Sequence, residues 1–162
     1  MAEAEPTLDL LGAAALAISG AVWAALGPEQ SDAAALNVVL AEPGISIGGL
    51  AQALGLSHSA AVRVADRLQA QDLITRDGTG PGRTIAVKIT ERGRRQAADA
   101  VARRAQVLQQ ATSGLTAAQR QSLSGLLQQV VLNLAGDQAA IERACRLCDQ
   151  KRCLARGCPL PA

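Results

Sequence analysis

A mainly α-helical chain carrying one small β-hairpin is what the 162-residue sequence predicts, and three observations carry that expectation. Ala and Leu supply 34 and 22 residues while Phe and Tyr are absent, so the aromatic side chains that favour pleated sheets are missing. Gly and Pro gather at a few points between long apolar stretches, which is where helices stop. One segment alone, residues 73–89, alternates around a Gly/Pro-rich tip, as a hairpin does. The length suits one domain, or one domain with an appendage. Small side chains bury little area each, so a chain of this kind gains from burying further surface in an oligomer.

The elements follow in order. A first helix runs from about Thr7 to Leu26 and stops at Gly27-Pro28. A second runs from about Ser31 to Ala41, with Ser31 and Asp32 available as caps and Pro43-Gly44 closing it. Ser46 caps a short third helix, Ile47 to Leu54, and Gly55 supplies the turn. Ser57 caps a fourth helix from His58 to about Gln71. Leu73 to Arg76 and Arg83 to Ile89 then form the hairpin strands around the tip Asp77 to Gly82. Thr90 caps a long fifth helix to about Thr112, with Glu91 favourable in its first turn. Thr116 caps a sixth helix to about Leu134, and a last one spans Asp137 to Arg146. The remainder, Leu147 to Ala162, is too short and too rich in Cys, Gly and Pro to form a core alone.

The first helix raises a membrane question, because Leu10 to Pro28 is 19 residues without a charge. Its Ala and Gly content inserts weakly, its acidic start does not fit a secretory signal, and no Lys or Arg flanks it. The expectation is a buried interface helix in a cytoplasmic protein with no membrane partner. The cysteines are then expected to be reduced unless they hold a metal or sense oxidation.

Charge is unevenly placed. Residues 1–44 carry six acids and no Lys or Arg, whereas residues 57–95 carry eight basic residues against four acids. A positive surface made by the middle of the chain is the footprint of a polyanion partner. Base-stacking binders of single strands or RNA are excluded, since Trp23 is the one aromatic residue besides His58.

Residues 46–71 carry the strongest motif. Two helices joined by a tight Gly-containing turn and followed by a hairpin describe a winged helix–turn–helix. On the fourth helix, Ala61, Val64, Ala65 and Leu68 share one face at helical spacing. Ser59, Arg63 and Arg67 lie four apart on another and can offer donors to a major groove about as wide as one helix. The helix N-terminus at Ser57 and His58 adds backbone N–H groups suited to a phosphate.

Leu50-Ala51-x2-Leu54-Gly55-Leu56-Ser57-His58-Ser59-Ala60, then Arg63-x2-Asp66-Arg67-Leu68, resembles the MarR family of multiple-antibiotic-resistance regulators. The segment Arg83 to Thr90, followed by Glu91-Arg92-Gly93-Arg94, is similar to the family's wing and the start of its long dimerisation helix. The resemblance spans about residues 7–140 and implies a homodimer with interleaved N- and C-terminal helices. It implies residues 1–28 and 93–143 as the helical dimerisation region, 29–92 as the DNA-binding domain and 144–162 as a cysteine-rich tail. It further implies a repressor that grips a pseudo-palindromic operator of double-stranded DNA, with Arg83 reaching the minor groove. Three positions depart from the family: Val62 stands in place of Ser, Asp72 in place of Gly and Pro81 in place of Asp. Asp72 is tolerable because Asp accepts a left-handed conformation better than most residues. Asp77 is available to steady the wing Arg in place of the missing Asp.

All four cysteines lie in the tail as Cys145-x2-Cys148-x4-Cys153-x4-Cys158. Four thiolates in so short a segment can close around one tetrahedral ion with Zn–S bonds of about 2.3 Å. The spacing is similar to the zinc knuckle, with Cys153 in place of its His and Asp149 departing from its Gly. Pro159 after the last Cys resembles ferredoxin-type runs, so an iron–sulfur cluster competes with zinc. A thiol switch is the other alternative, helped if Arg146, Lys151, Arg152 and Arg156 favour thiolates. Because the tail follows the expected dimer helix, metal or oxidant there is expected to change the angle between two winged domains.

No nucleophile–base pair, phosphate loop or paired catalytic carboxylate is visible, so the chain does not read as an enzyme. One rival reading is a repressor released by a small molecule at the junction of the dimer and DNA-binding regions. The missing Phe and Tyr weaken it, since aromatic ligands would meet only Leu, Val, Ala and Trp23. Another is a thiol- or metal-handling helical protein without DNA binding, although Cys145-x2-Cys148 lacks the βαβ surroundings of a thioredoxin-like pair.

Overall fold

The computed structural model describes residues 6–28, 30–78 and 85–149, together with positions 153, 158 and 160. Seven helices and one hairpin follow the expected order: α1 (Pro6–Leu26), α2 (Gln30–Ala41), α3 (Ile47–Leu54), α4 (His58–Ala70), β1 (Ile74–Asp77), β2 (Ala86–Ile89), α5 (Glu91–Ala111), α6 (Ala117–Leu134) and α7 (Gln138–Cys145). This is a winged helix–turn–helix flanked by long helices.

The caps read from the sequence are made. Ser46 accepts a hydrogen bond from the Gly49 N–H at 3.0 Å, and Ser57 accepts one from Ala60 at 3.2 Å. Thr90 accepts one from Gly93 at 3.0 Å and donates to the Asp72 carbonyl at 2.8 Å, tying the start of α5 to the end of α4. Thr116 and Gln119 form a reciprocal capping box at the start of α6. The second helix differs from expectation. It begins at Gln30, so Asp32 sits inside its first turn, buried rather than at the cap.

Asp72 takes the left-handed conformation, with φ 57°, that its place after α4 demands. Leu73 N–H donates to Leu68 at 2.9 Å and Asp72 N–H to Gln69 at 3.0 Å, which closes the helix end. The antiparallel strands pair Ile74 with Ile89 and Arg76 with Val87. Gly44 and Ile45 extend this ladder, with Val87 N–H donating to the Ile45 carbonyl at 2.9 Å, so the wing is anchored to the entry of α3.

The main core lies between α2, α3, α4 and the hairpin, where Leu36, Leu50, Leu68, Leu73 and Val87 are fully buried. Every residue of α2 from Asp32 to Val39 is buried, which makes it the central helix of the unit. A second cluster gathers Val22, Leu26, Ala33, Ala34, Ala100 and Leu147. Leu147 belongs to the cysteine-rich tail, so that segment joins a core it cannot form alone.

The expectation of an all-round buried first helix does not hold within one chain. Only Val22 and Leu26 of α1 are buried, and Leu10 and Leu16 are 70% and 78% exposed. By length and composition alone α1 would cross a membrane. The α6 helix has no buried residue, and Leu126 and Leu134 lie open beside it.

Candidate nucleic-acid interface

Turn geometry positions α4. Gly55 ends α3 with φ 67°, a conformation that a side chain would strain, and Leu56 N–H donates back to Ala51 at 2.9 Å. The chain then reverses into Ser57, whose hydroxyl caps α4 and lies 3.2 Å from that of Ser59. Ala61, Val64, Ala65 and Leu68 form the buried face of α4, as the spacing predicts. Ser57, His58, Ser59 and Arg63 are all exposed on the opposite side and around the helix start.

Arg63 and Arg67 differ in what holds them. Among the described residues Arg63 has no ion-pair partner and is free to reach outward. Arg67 is anchored instead: its Nη2 lies 2.5 Å from Asp32 Oδ1 and its Nε 3.3 Å from Oδ2. Asp32 is 1% exposed and the Arg67 side chain 45%, so a buried carboxylate from α2 grips one edge of the guanidinium. The sequence reading missed this link. The available signal was an acid standing alone at the head of the apolar run Ala33 to Leu36, where burial demands a partner. Arg83 lies outside the described residues. Asp77, offered as a substitute partner for the wing Arg, accepts a hydrogen bond from Lys88 at 2.7 Å.

Further basic groups surround the helix. Arg76 of β1 bonds Asp66 at 2.7 Å and the Val62 carbonyl at 3.3 Å, bracing the hairpin against α4. At the start of α5, Glu91 faces Arg94 at 3.6 Å and Arg95 at 3.4 Å, exposed pairs that leave the region's basic excess accessible.

The four thiols come together beyond α7. Each cysteine is partly buried and none is in a disulfide. Cys145 ends α7, and the Cys148 N–H donates to its carbonyl at 2.8 Å across a tight turn. Cys145 is hydrogen-bonded to Cys148 and Cys153 to Cys158, with the two pairs within electrostatic reach of each other. Among the described residues, no group of three or more His, Cys, Asp or Glu is arranged as a closed metal-ligand set. The arrangement is two contacting pairs.

The expected thiolate-favouring effect of the nearby basic residues is overturned for two of them. Burial, followed by the neighbouring Cys148 and Cys158 thiols, pushes Cys145 up to about 11. The hydrogen bond to Cys158, followed by burial, pushes Cys153 up to about 11. The tail is also not a free appendage. Asn37 of α2 donates from Nδ2 to the Arg146 carbonyl at 3.0 Å and to the Cys148 carbonyl at 2.8 Å. Arg143 of α7 lies over the helix–turn–helix turn, its Cδ 2.9 Å from where a Cβ on Gly55 would stand.

Turn, outward-facing α4 and anchored wing define a winged helix–turn–helix protein. Comparison makes the class particular: residues 26–83 match the MarR family, and the chain carries a MarR-family domain. It is similar to a solved MarR-family transcriptional regulator from Rhodococcus sp. RHA1, at 26% identity over 76% of this chain and 91% of that one, with a TM-score of 0.61. A Mycobacterium tuberculosis MarR family protein solved with salicylic acid is 25% identical over 80% of this chain and 99% of its own, with a TM-score of 0.61. The Mycobacterium tuberculosis protein solved with DNA shares the fold at 24% identity over 78% of this chain and 98% of its own, with a TM-score of 0.65. No curated protein sequence matches the chain.

Proposed function

We propose that this protein is a homodimeric, sequence-specific DNA-binding transcription regulator, a repressor, whose cysteine tail holds zinc or an iron–sulfur cluster and senses metal or redox state. The observation that carries the DNA-binding part is the division of α4. Its apolar face is wholly buried while Ser57, His58, Ser59 and Arg63 stand exposed on one rigid helix end. Such a surface suits a major groove, with the helix N-terminus directed at a phosphate. The MarR-family match and the DNA complex of a protein with the same fold support this reading. Arg67, held by Asp32, is left to contact DNA with the remaining edge of its guanidinium. Arg83 is proposed for the minor groove on the resemblance alone.

A second copy of the chain is the proposed cover for the apolar surfaces of α1 and α6. The exposed Leu8, Leu10, Leu16, Leu126 and Leu134 would otherwise remain in water.

Cys145, Cys148, Cys153 and Cys158 are the proposed metal ligands. Four soft sulfur donors in two contacting pairs fit zinc or an iron–sulfur cluster by donor chemistry. A bound cation would supply the positive charge that lets clustered thiols ionise together.

Binding to a random duplex as salt rises tests the first part. Affinity should fall steeply, each phosphate contact contributing a slope of about −0.9. Arg63→Ala should weaken specific more than nonspecific binding, and salt-independent binding would reject the proposal. For the tail, metal analysis with a UV-visible spectrum of protein purified without air is decisive. A brown chromophore indicates iron–sulfur, and colourless stoichiometric zinc indicates a thiolate zinc site. Metal-free protein whose thiols pair under hydrogen peroxide would favour the thiol switch.

One observation favours the small-molecule reading as second choice. Arg103 Nε is buried without a hydrogen-bond partner beside an open groove of about 620 Å³, lined also by Ala25, Gln106 and Val107. A carboxylate ligand would satisfy it. Salicylate titration followed by Trp23 fluorescence, with no change expected in Arg103→Met, tests that option.

A further inference from the structure

Among the described residues only two buried side chains are polar or charged, Asp32 and Asn37, and both belong to α2. They face different partners. Asp32 holds Arg67 of α4 through both carboxylate oxygens. Asn37, 5% exposed, donates to the carbonyls of Arg146 and Cys148, on either side of Leu147. Leu147 itself inserts among Val22, Leu26, Ala33 and Ala34. The cysteine turn is therefore clamped to the same fully packed helix that grips the recognition helix. A buried amide cannot exchange lost acceptors for water, so any shift of these carbonyls is felt by α2. Close packing on all sides gives α2 little freedom to absorb the shift locally.

We propose that Asn37 is a positioning residue that couples the cysteine turn to the recognition helix, through α2 and the Asp32–Arg67 pair. The inference rests on the reading of the cysteines as a sensing site and supplies its route. The signal passes within one chain, from the Cys148 backbone to α4, in place of the altered angle between two winged domains expected from the sequence. Coupling of this kind is reciprocal: a state of the turn that tightens α4 is itself favoured when α4 is held.

The test uses the full chain in three forms: reduced and metal-free, loaded with zinc, and treated with excess N-ethylmaleimide. All four cysteines lie in the tail, so the reagent acts nowhere else on a thiol. Hydrogen exchange of α4 is read by mass spectrometry, and Trp23, which packs against the Leu147 cluster, reports movement of the turn by fluorescence. In the native sequence, α4 amides should exchange roughly tenfold faster after maleimide treatment than in the zinc-loaded form, the scale of two lost buried hydrogen bonds. In Asn37→Ala they should exchange fast in every form. A native protein whose Trp23 signal changes while α4 exchange stays constant overturns the proposal, as does an Asn37→Ala variant with the full response. If Asn37→Ala does not fold, Asn37→Ser and the native arm decide. Zinc stoichiometry is measured separately. Zinc bound with no α4 response removes the coupling and keeps the metal site, whereas no zinc with a maleimide response removes the metal site and keeps the coupling.

Discussion

In the winged unit Leu36, Leu50, Leu68, Leu73 and Val87 are fully buried, whereas α6 buries nothing and its Leu134 is 80% exposed. Both regions draw on the same Ala- and Leu-rich vocabulary. What separates them is contact: α2, α3, α4 and the hairpin close on one another, while α1 and α6 each present an apolar side with little of the same chain against it. Burial drives stability only where a partner surface exists. The winged unit finds its partners within the chain. The helical arms need another surface, and the proposed second copy supplies it.

The sharpest way to break this comparison is at the seam between wing and α5. A Cβ on Gly93 would lie 2.1 Å from the Leu73 carbonyl oxygen, too close for the backbone to accept. Gly93→Ala should lower stability by at least about 3 kcal/mol, measured by urea unfolding at fixed protein concentration. A change below about 1 kcal/mol would mean that the seam is loose.

Matched truncations come next. Leu68→Ala should cost about 2–5 kcal/mol because its site is completely enclosed. Leu126→Ala, 61% exposed in the single chain, should change the dilute protein by no more than about 0.5 kcal/mol while weakening self-association in sedimentation. Equal losses in dilute protein would erase the distinction between the two regions.

A smaller effect separates two arginines of one helix. Arg67→Ala strands the buried Asp32 carboxylate and should cost about 1–3 kcal/mol. Arg63→Ala, with no partner to abandon, should unfold within about 0.5 kcal/mol of the native protein. Chemical denaturation of both variants reads the contrast, and similar costs would place Arg63 in the fold as well.

The smallest effect is at the wing. The Lys88 hydrogen bond and charge hold the exposed Asp77 carboxyl below the usual carboxylate range. Its depressed value in the folded state makes the contribution complete above the unfolded value and lost as pH falls through the folded one. Hairpin NMR signals should therefore change only in acid, below about pH 4, and Lys88→Met should return Asp77 to ordinary titration. Titration of the native Asp77 at or above the ordinary value would remove the pair.

Much of the winged unit was legible in the sequence because its signals are local. Ser46, Ser57, Thr90 and Thr116 cap helices whose N–H groups lie three residues on, and Gly55 and Asp72 sit where a left-handed residue must end a helix. The buried face of α4 followed from spacing alone. The candidate site was half legible. The exposed stripe and the cysteine cluster could be read, but Arg67 was taken for a free donor and α1 for a buried helix.

Chain order and spacing by themselves determined the helices, their caps, the hairpin and the cysteine motif, because each depends on neighbours within a few residues. Tertiary structure alone decided which polar groups are spent inside the fold. Asp32 meets Arg67 across 35 residues, and Asn37 meets the Cys148 carbonyl across 111. Burial sets the demand for a partner at such positions, and only the packed chain shows which distant group meets it.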